Sequence, residues 1–272
     1  MKKREERSIV CVQRVKFGED NIYKIMNAIY VLWIRQLIRF IRTKERIFAS
    51  IAQPLLFLVA LGFGLGPVYA KAGQGDYIQF LAPGIVAMTI LFTSVFTGME
   101  IIWDKQFGFL KETLVAPVSR IHIMIGRTLG GATVALVQGM LVLVITFFIG
   151  FRPALTSLPL ALVFMALVAI VFSALGTAVA SVLEDMQGFP LVVNFVIMPL
   201  YFLSGALFPV GQLTGWFHRI VTVNPLAYGV DGIRGALIGV SYFSFTLDLV
   251  VLTTSAFVLI CLGGYLFSKI EA

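Results

Sequence analysis

Residues 157–183 read SLPLALVFMALVAIVFSALGTAVASVL, and residues 189–208 read FPLVVNFVIMPLYFLSGALF. Each meets the roughly 20 mostly apolar residues that a bilayer-spanning helix needs. Only Glu184-Asp185-Met186-Gln187-Gly188 separates them, so they are expected to form a tight hairpin of two spans. The same criterion finds Ile47–Tyr69, Phe80–Trp103 and Thr128–Phe151 before the hairpin and Leu249–Phe267 after it. Composition agrees: 59% of the 272 residues are hydrophobic and 13% charged, with mean hydropathy +0.95. A soluble domain has about 45–50% apolar and about 25% charged residues, so a water-soluble fold is excluded. The expected fold is all-α and polytopic, with a tail and interfacial helix over residues 1–46 and six transmembrane helices over 47–272. The first long apolar run starts near residue 47, too late for a cleavable signal, and the N-terminus is expected to be kept.

Six spans put alternate loops on opposite sides. Twelve Lys and Arg precede Ile47, Lys105, Lys111, Arg120 and Arg127 lie in 104–128, and Lys269 ends the chain, which makes 17 on one side. Lys71, Arg152, Arg219 and Arg234 make four on the other. The Lys/Arg bias therefore predicts both ends in the cytoplasm and a plasma (inner) membrane location. The net charge of +7 belongs to this asymmetry and calls for no nucleic-acid partner. Over 22–46, Ile22, Met26, Ile29, Trp33, Leu37 and Phe40 share one helical face, with Arg35, Arg39, Arg42 and Arg46 opposite. That pattern predicts an amphipathic helix in the cytoplasmic interface, its rings among lipid headgroups and its guanidinium groups toward phosphate, water or a cytoplasmic partner.

Chemistry is scarce. Cys11 and Cys261 lie at opposite ends of the chain, and His122 and His218 fall on opposite sides of the membrane, so neither a disulfide nor a metal site is expected. The sequence contains no G-x-x-x-x-G-K-[ST] loop, G-x-S-x-G elbow or H-E-x-x-H helix, and no catalytic residue is assigned. An ion-driven carrier would be expected to bury ionisable groups at mid-membrane. Glu100 is the one candidate, near the inner end of the second span, where it could equally reach water or pair with Arg127.

Two loops are more than connectors. Between the second and third spans, Phe107, Leu110 and Leu114 recur at i, i+3 and i+7, so a short helix ending at Pro117 would offer one apolar stripe to a protein or to the membrane surface. On the outer side, Trp216, Phe217, Ile220 and Val221 form a stripe that stops at Asn224-Pro225. Asn at N-cap with Pro at N1 predicts a second helix there, with Asp231 and Arg234 three apart. The pair reads either as a re-entrant hairpin before the last span or as a surface cap. Pro190 and Pro199 predict a kinked fifth span, with Asn194 between them as a pathway contact or ordinary packing. Gly126-x-x-x-Gly130 is one of three motifs that permit close helix approach.

The stretch Phe107-Gly108-Phe109-Leu110-Lys111-Glu112 followed by Ala116-Pro117-Val118-Ser119-Arg120 resembles the signature of ABC type-2 transporter permeases, in particular the daunorubicin-resistance (multidrug) branch. A second block agrees with it: Leu203 to Pro209, then Asn224-Pro225-Leu226-Ala227-Tyr228 and Asp231-Gly232-Ile233-Arg234. The resemblance runs from about residue 25 to the C-terminus. It implies two six-span permeases, a second copy or a paralogue, with two separate ATP-binding-cassette ATPase subunits on the cytoplasmic face. ATP and Mg would then act through that partner, with no cofactor on this chain. The resemblance makes Phe107, Leu110, Lys111, Glu112, Leu114, Pro117 and Arg120 a coupling helix, and makes residues 22–46, with Trp33 and the four arginines, a connecting helix. Glu100, Asn194, Asn224, Pro225, Tyr228, Asp231 and Arg234 become pathway or gate candidates. The substrates it implies are drugs, lipids or glycan precursors. A self-sufficient carrier or channel, or a small membrane-bound enzyme, stays as the alternative.

Overall fold

The computed structural model describes residues 25–73, 75–109, 119–212 and 215–269. Cys11, Ile22, Leu110, Lys111, Glu112, Leu114 and Pro117 lie outside them, as does the Arg46 side chain. The described elements are helical throughout: α1 (25–42), α2 (Lys44–Lys71), α3 (Tyr77–Gln106), α4 (Arg120–Ile149), α5 (Leu158–Val182), α6 (Gly188–Phe202), α7 (Trp216–Val223), α8 (Pro225–Ile238) and α9 (Phe245–Ser268). Among the described residues, α2, α3, α4, α5 and α9 are long and apolar enough to cross a membrane. This is a multi-pass membrane protein.

The helix α3 is the hub. Asp76 caps its start by accepting from the Ile78 N–H, and it packs against α2, α4, α5 and α8. Its closest neighbour is α5, where Gly98 faces Gly176 so tightly that a Cβ on Gly98 would strike the Gly176 backbone. Helix α5 also touches α4, α8 and α9, whereas α2 and α9 lie at the periphery with most of their apolar surface outward. That surface suits lipid, because hydrocarbon outside makes an outward apolar face free of cost.

The expected fifth span, Phe189–Phe208, is realised as the 15-residue α6, about 22 Å long against a hydrocarbon core of about 30 Å. Its regular turns are interrupted by a π-helical stretch, Val193–Ile197, lying between Pro190 and Pro199. Neither proline can donate to the helical ladder, and a wider turn there is the local adjustment that prolines in membrane helices permit. After Phe202 the chain leaves the helix and turns through 203–208.

The two ends of the bundle are built differently. At one end lie α1, the end of α3 and the start of α4; the Lys105 Nζ donates to the carbonyls of Ala180, Ser181 and Leu183 and so closes the end of α5. Arg120 does the same for α9 through the Ser268 carbonyl. At the opposite end lie 72–73, 75–76, 150–157, 203–212 and 215–244, joined by bonds such as Gln79 Nε2 to the Gly150 carbonyl and Ala154 N–H to the Leu237 carbonyl.

Candidate functional site

Three constructions carry polar chemistry into this apolar body. The first is an ion-pair network under α1. Asp104, 2% exposed, accepts from Arg127 Nη2 at 2.6 Å and lies 3.4 Å from Arg35 and 3.6 Å from Arg39. Arg39 also donates to Glu100 at 3.1 Å. Partial burial works against the Arg39 charge, but the carboxylates of Glu100 and Asp104 outweigh it and hold its pKa above the ordinary arginine value. The sequence pattern turned Arg35, Arg39, Arg42 and Arg46 toward phosphate or water; the structure instead turns Arg35 and Arg39 onto two carboxylates of α3, while Arg42 stays exposed. Glu100, for which the sequence left water and Arg127 open, accepts from Arg39, and Arg127 donates to Asp104.

The seat of α1 explains this rotation. Gly126 and Gly130 of α4 leave a trough in which the helix lies; a Cβ on Gly126 would come within 3.2 Å of the Ile29 backbone, and one on Gly130 within 2.7 Å of the Gln36 side chain. Trp33 Nε1 then reaches Thr133 Oγ1 at 3.0 Å. Protein thus takes the face of α1 that holds Ile29, Leu32, Trp33 and Gln36, and leaves Met26, Tyr30, Val31, Ile38 and Ile41 outward. From the same end Trp103, Phe107 and Phe109 project, each about half exposed or more.

The second construction is a cavity of about 540 Å³ between α2 and α3, its floor made by Met88, Phe92, Phe96 and Met99. Pockets of about 300–1,000 Å³ hold drug-sized ligands. Its polar wall is a chain of bonds: Thr93 Oγ1 donates to Gln138 Oε1, Gln138 Nε2 donates to Ser50, and Ser50 Oγ donates to the Ile47 carbonyl. Arg39, Thr43, Glu100 and Trp103 stand at the α1 end of this space. Sequence reading named Glu100 but missed Gln53, Thr93 and Gln138, although uncharged polar residues inside an apolar span were the available signal.

The third construction is at the opposite end, where side chains satisfy the carbonyls of the turn after α6. Arg234, 4% exposed, donates to Gly205 and Ala206 at 3.0 and 3.3 Å and lies 3.9 Å above the Phe80 ring. Asn224 Nδ2 donates to Leu200 and Leu203, while its Oδ1 caps α8 at the Leu226 N–H. Tyr77 Oη donates to Leu207. Asp231 accepts the Tyr242 and Phe243 N–H groups and so holds the loop into α9; Tyr228 stacks on Phe243. Hence Asp231 and Arg234, three apart on α8, fasten two different loops. Helix α8 is buried along its length, and α7 leaves Trp216, Phe217 and Ile220 outward with Val221 buried. Asn194 is exposed on α6. Asp248, fully buried in the first turns of α9, has no hydrogen-bond partner on either carboxylate oxygen among the described residues. The sequence reading began that span at Leu249, one residue too late to see it.

The sequence profile described as ABC-2 type transporter matches residues 27–238. A chain described as the putative transport permease ycf38 of Cyanophora paradoxa is 28% identical over 260 residues, covering 90% of this chain and 89% of its own. The ycf38 chain of Porphyra purpurea is 30% identical, covering 81% and 78%. Nodulation protein J of Rhizobium meliloti (strain 1021) is 31% identical, covering 71% and 74%.

Proposed function

This chain belongs to the ABC-2 type transporter family, and from that premise we propose that it is the membrane-spanning permease subunit of an ATP-binding-cassette exporter. A separate ATPase subunit hydrolyses ATP with Mg, a second permease copy or a paralogue completes the pathway, and a drug-like, lipid-like or glycan-type substrate moves outward. The end carrying α1 faces the cytoplasm, in keeping with the 17 to four division of Lys and Arg.

One observation supports the coupling role most directly. Beside the 104–120 segment, the ion-pair network ties α1 to α3 and α4, so a push on that segment is delivered to three helices at once. Helix α3 then runs from this network to the ring of Phe80 under Arg234, which links the two ends by one rigid element. The experiment is co-purification of the ATPase with wild-type, Phe107→Asp and Leu110→Asp/Leu114→Asp chains at matched expression. Burying an unpaired charge in an apolar groove costs several kcal/mol, so both variants are expected to lose the ATPase while still inserting. Undiminished recovery would remove the segment from the mechanism.

Asp248 is the observation that favours the alternative, an ion-coupled carrier, because a carboxylate buried without a partner in a span is costly unless used. Transport by the purified chain in vesicles driven by a proton gradient without ATP, and lost in Asp248→Asn, would establish that reading instead.

A further inference from the structure

We propose that the hollow at the end of the bundle opposite α1 is a binding site for an organic anion with a flat apolar body, entered from the aqueous side. The proposal goes beyond the permease reading and needs it only to say which side of the membrane the site faces.

The hollow has a volume of about 690 Å³, large enough for a small molecule, and lies between the end of α2, the start of α3, the 150–154 loop and the end of α8. Its walls are fixed before any ligand arrives. Gln79 Nε2 donates to the Gly150 carbonyl, Gln79 Oε1 accepts the Arg152 N–H, and the Ala154 N–H meets the Leu237 carbonyl. The mouth is rimmed by Asp76, Arg152, Ala154 and Val240, all exposed and all lying just outside a helix. It therefore opens at the end of the bundle, not through the flanks by which spans meet lipid or another copy.

The sign of the ligand follows from which charges are already committed. Asp76 Oδ1 accepts the Ile78 N–H at the start of α3, where the helix dipole also offsets its charge. The Arg152 guanidinium bonds to nothing among the described residues. Beneath the floor, Arg234 is buried and forms no ion pair among the described residues. Asp231, three residues before it, gives its oxygens to the Tyr242 and Phe243 N–H groups, and Arg234 Nε has no partner among the described residues. A charge in such surroundings acts more strongly over distance than one in water. Arg234 also lies over the Phe80 ring, 3.9 Å from its centroid, so a second cation drawn to that ring would meet its repulsion. The uncommitted charge at the hollow is positive.

The remaining surface sets the body of the ligand. Tyr69 packs 5.9 Å from Phe80, its hydroxyl without a partner among the described residues, while Pro209, Leu237 and Ile238 form an apolar wall. An aromatic acid satisfies both parts. Its ring takes the apolar surface, and its acid group takes the Arg152 guanidinium, a planar fork suited to carboxylate or sulfonate.

The probe is 2-naphthalenesulfonate, with 2-naphthylmethanol and 2-naphthylmethylammonium as its neutral and cationic counterparts. Equilibrium dialysis against the full chain in phosphatidylcholine nanodiscs measures binding, and empty nanodiscs subtract partition into lipid. The sulfonate is expected to bind about tenfold more tightly than the alcohol, the increment of a charge-assisted hydrogen bond, and the ammonium ion more weakly than either. Arg234 fastens the turn at 205–206, so its replacement would disturb the fold. Arg152→Gln, at an exposed side chain, should instead erase the preference for the sulfonate and leave the alcohol unchanged. Asp76→Asn keeps the cap on α3 and should tighten sulfonate binding. Ala154→Trp should fill the mouth and exclude all three probes. Equal affinity for the three, preference for the ammonium ion, or retention that survives Ala154→Trp would overturn the proposal. In intact cells, Ala154→Cys in a chain lacking Cys11 and Cys261 should react with a membrane-impermeant thiol reagent and be protected by the sulfonate. Gly73→Cys is the control for sidedness: reaction there without reaction at 154 would mean that another chain covers the mouth, and would overturn the site. Silence at both positions would overturn the orientation in the permease reading, while selective binding in dialysis upholds the site.

Discussion

At the scale of residues, the polar groups that organise this protein sit where an apolar-window reading cuts them off. Asp104, Arg127 and Asp248 each fall one residue outside a span drawn from hydropathy, because a charge ends the window by definition, yet all three are buried in the fold. Helix capping is local and was legible: Asn224-Pro225 announces α8 and Asn224 does cap it. The other half of Asn224, its grip on the carbonyls of Leu200 and Leu203, depends on a chain segment more than twenty residues away and had no local signal. Thermal melts of substituted chains test both points. Asp104→Asn should destabilise the detergent-solubilised chain by about 3 kcal/mol or more, because Arg127 would be left buried without its counter-ion. Asp104→Leu/Arg127→Leu should recover much of that loss in the same melt, since Arg35 and Arg39 are exposed enough to turn to water. Asn224→Ala should lose the cap and the two carbonyl bonds and destabilise the chain by about 1 kcal/mol or more. Asn224→Asp, although able to cap, should be no more stable, because it sets a buried carboxylate against the Leu200 and Leu203 carbonyls.

At the scale of elements, periodicity found α1 and α7 but misjudged what the faces of α1 meet. A helical wheel ranks faces by hydrophobicity alone, whereas α1 is oriented by the two glycines of α4, which decide how closely and at what rotation another helix can lie. The motif was visible in the sequence, but its occupant was not. Replacing Gly130 with Leu should lift α1 from its trough, break the Trp33–Thr133 bond and pull Arg35 and Arg39 from their carboxylates. Limited trypsin digestion would read this as faster cleavage after Arg35 and Arg39 than in the wild-type chain, with α3 to α5 still protected. Equal rates would show that the ion pairs, and not the trough, hold the helix.

At the scale of the molecule, the five long spans were readable because the bilayer fixes helix length. The expected hairpin of 157–208 was not realised as two full spans, since α6 stops at 15 residues where the chain turns at 203–208. The burial of α8 was not readable, because nothing in its own sequence states which helices surround it. The joining of distant loops also makes a topological prediction. Gly73 and Gly211 lie at the same end, linked through Tyr77 and Leu207, and Phe107 lies at the other. In a chain lacking Cys11 and Cys261, cysteines at 73 and 211 should react with a membrane-impermeant thiol reagent in intact cells, and one at 107 should not. The reverse pattern would invert the proposed orientation. Finally, the wide turn at Val193–Ile197 acts as a phase counter for the chain beyond it. Each residue of an α-helix advances the chain by about 100°. A π turn closes from i to i+5 and so holds one residue more than an α turn. Deleting one residue there would straighten α6 with the downstream phase nearly kept, whereas an insertion would swing everything downstream by about that angle, taking the carbonyls of 203–207 away from Asn224, Arg234 and Tyr77. Point substitutions or removal of a single residue in this stretch should therefore be tolerated far better than an insertion, which thermal melts of the detergent-solubilised chains would show.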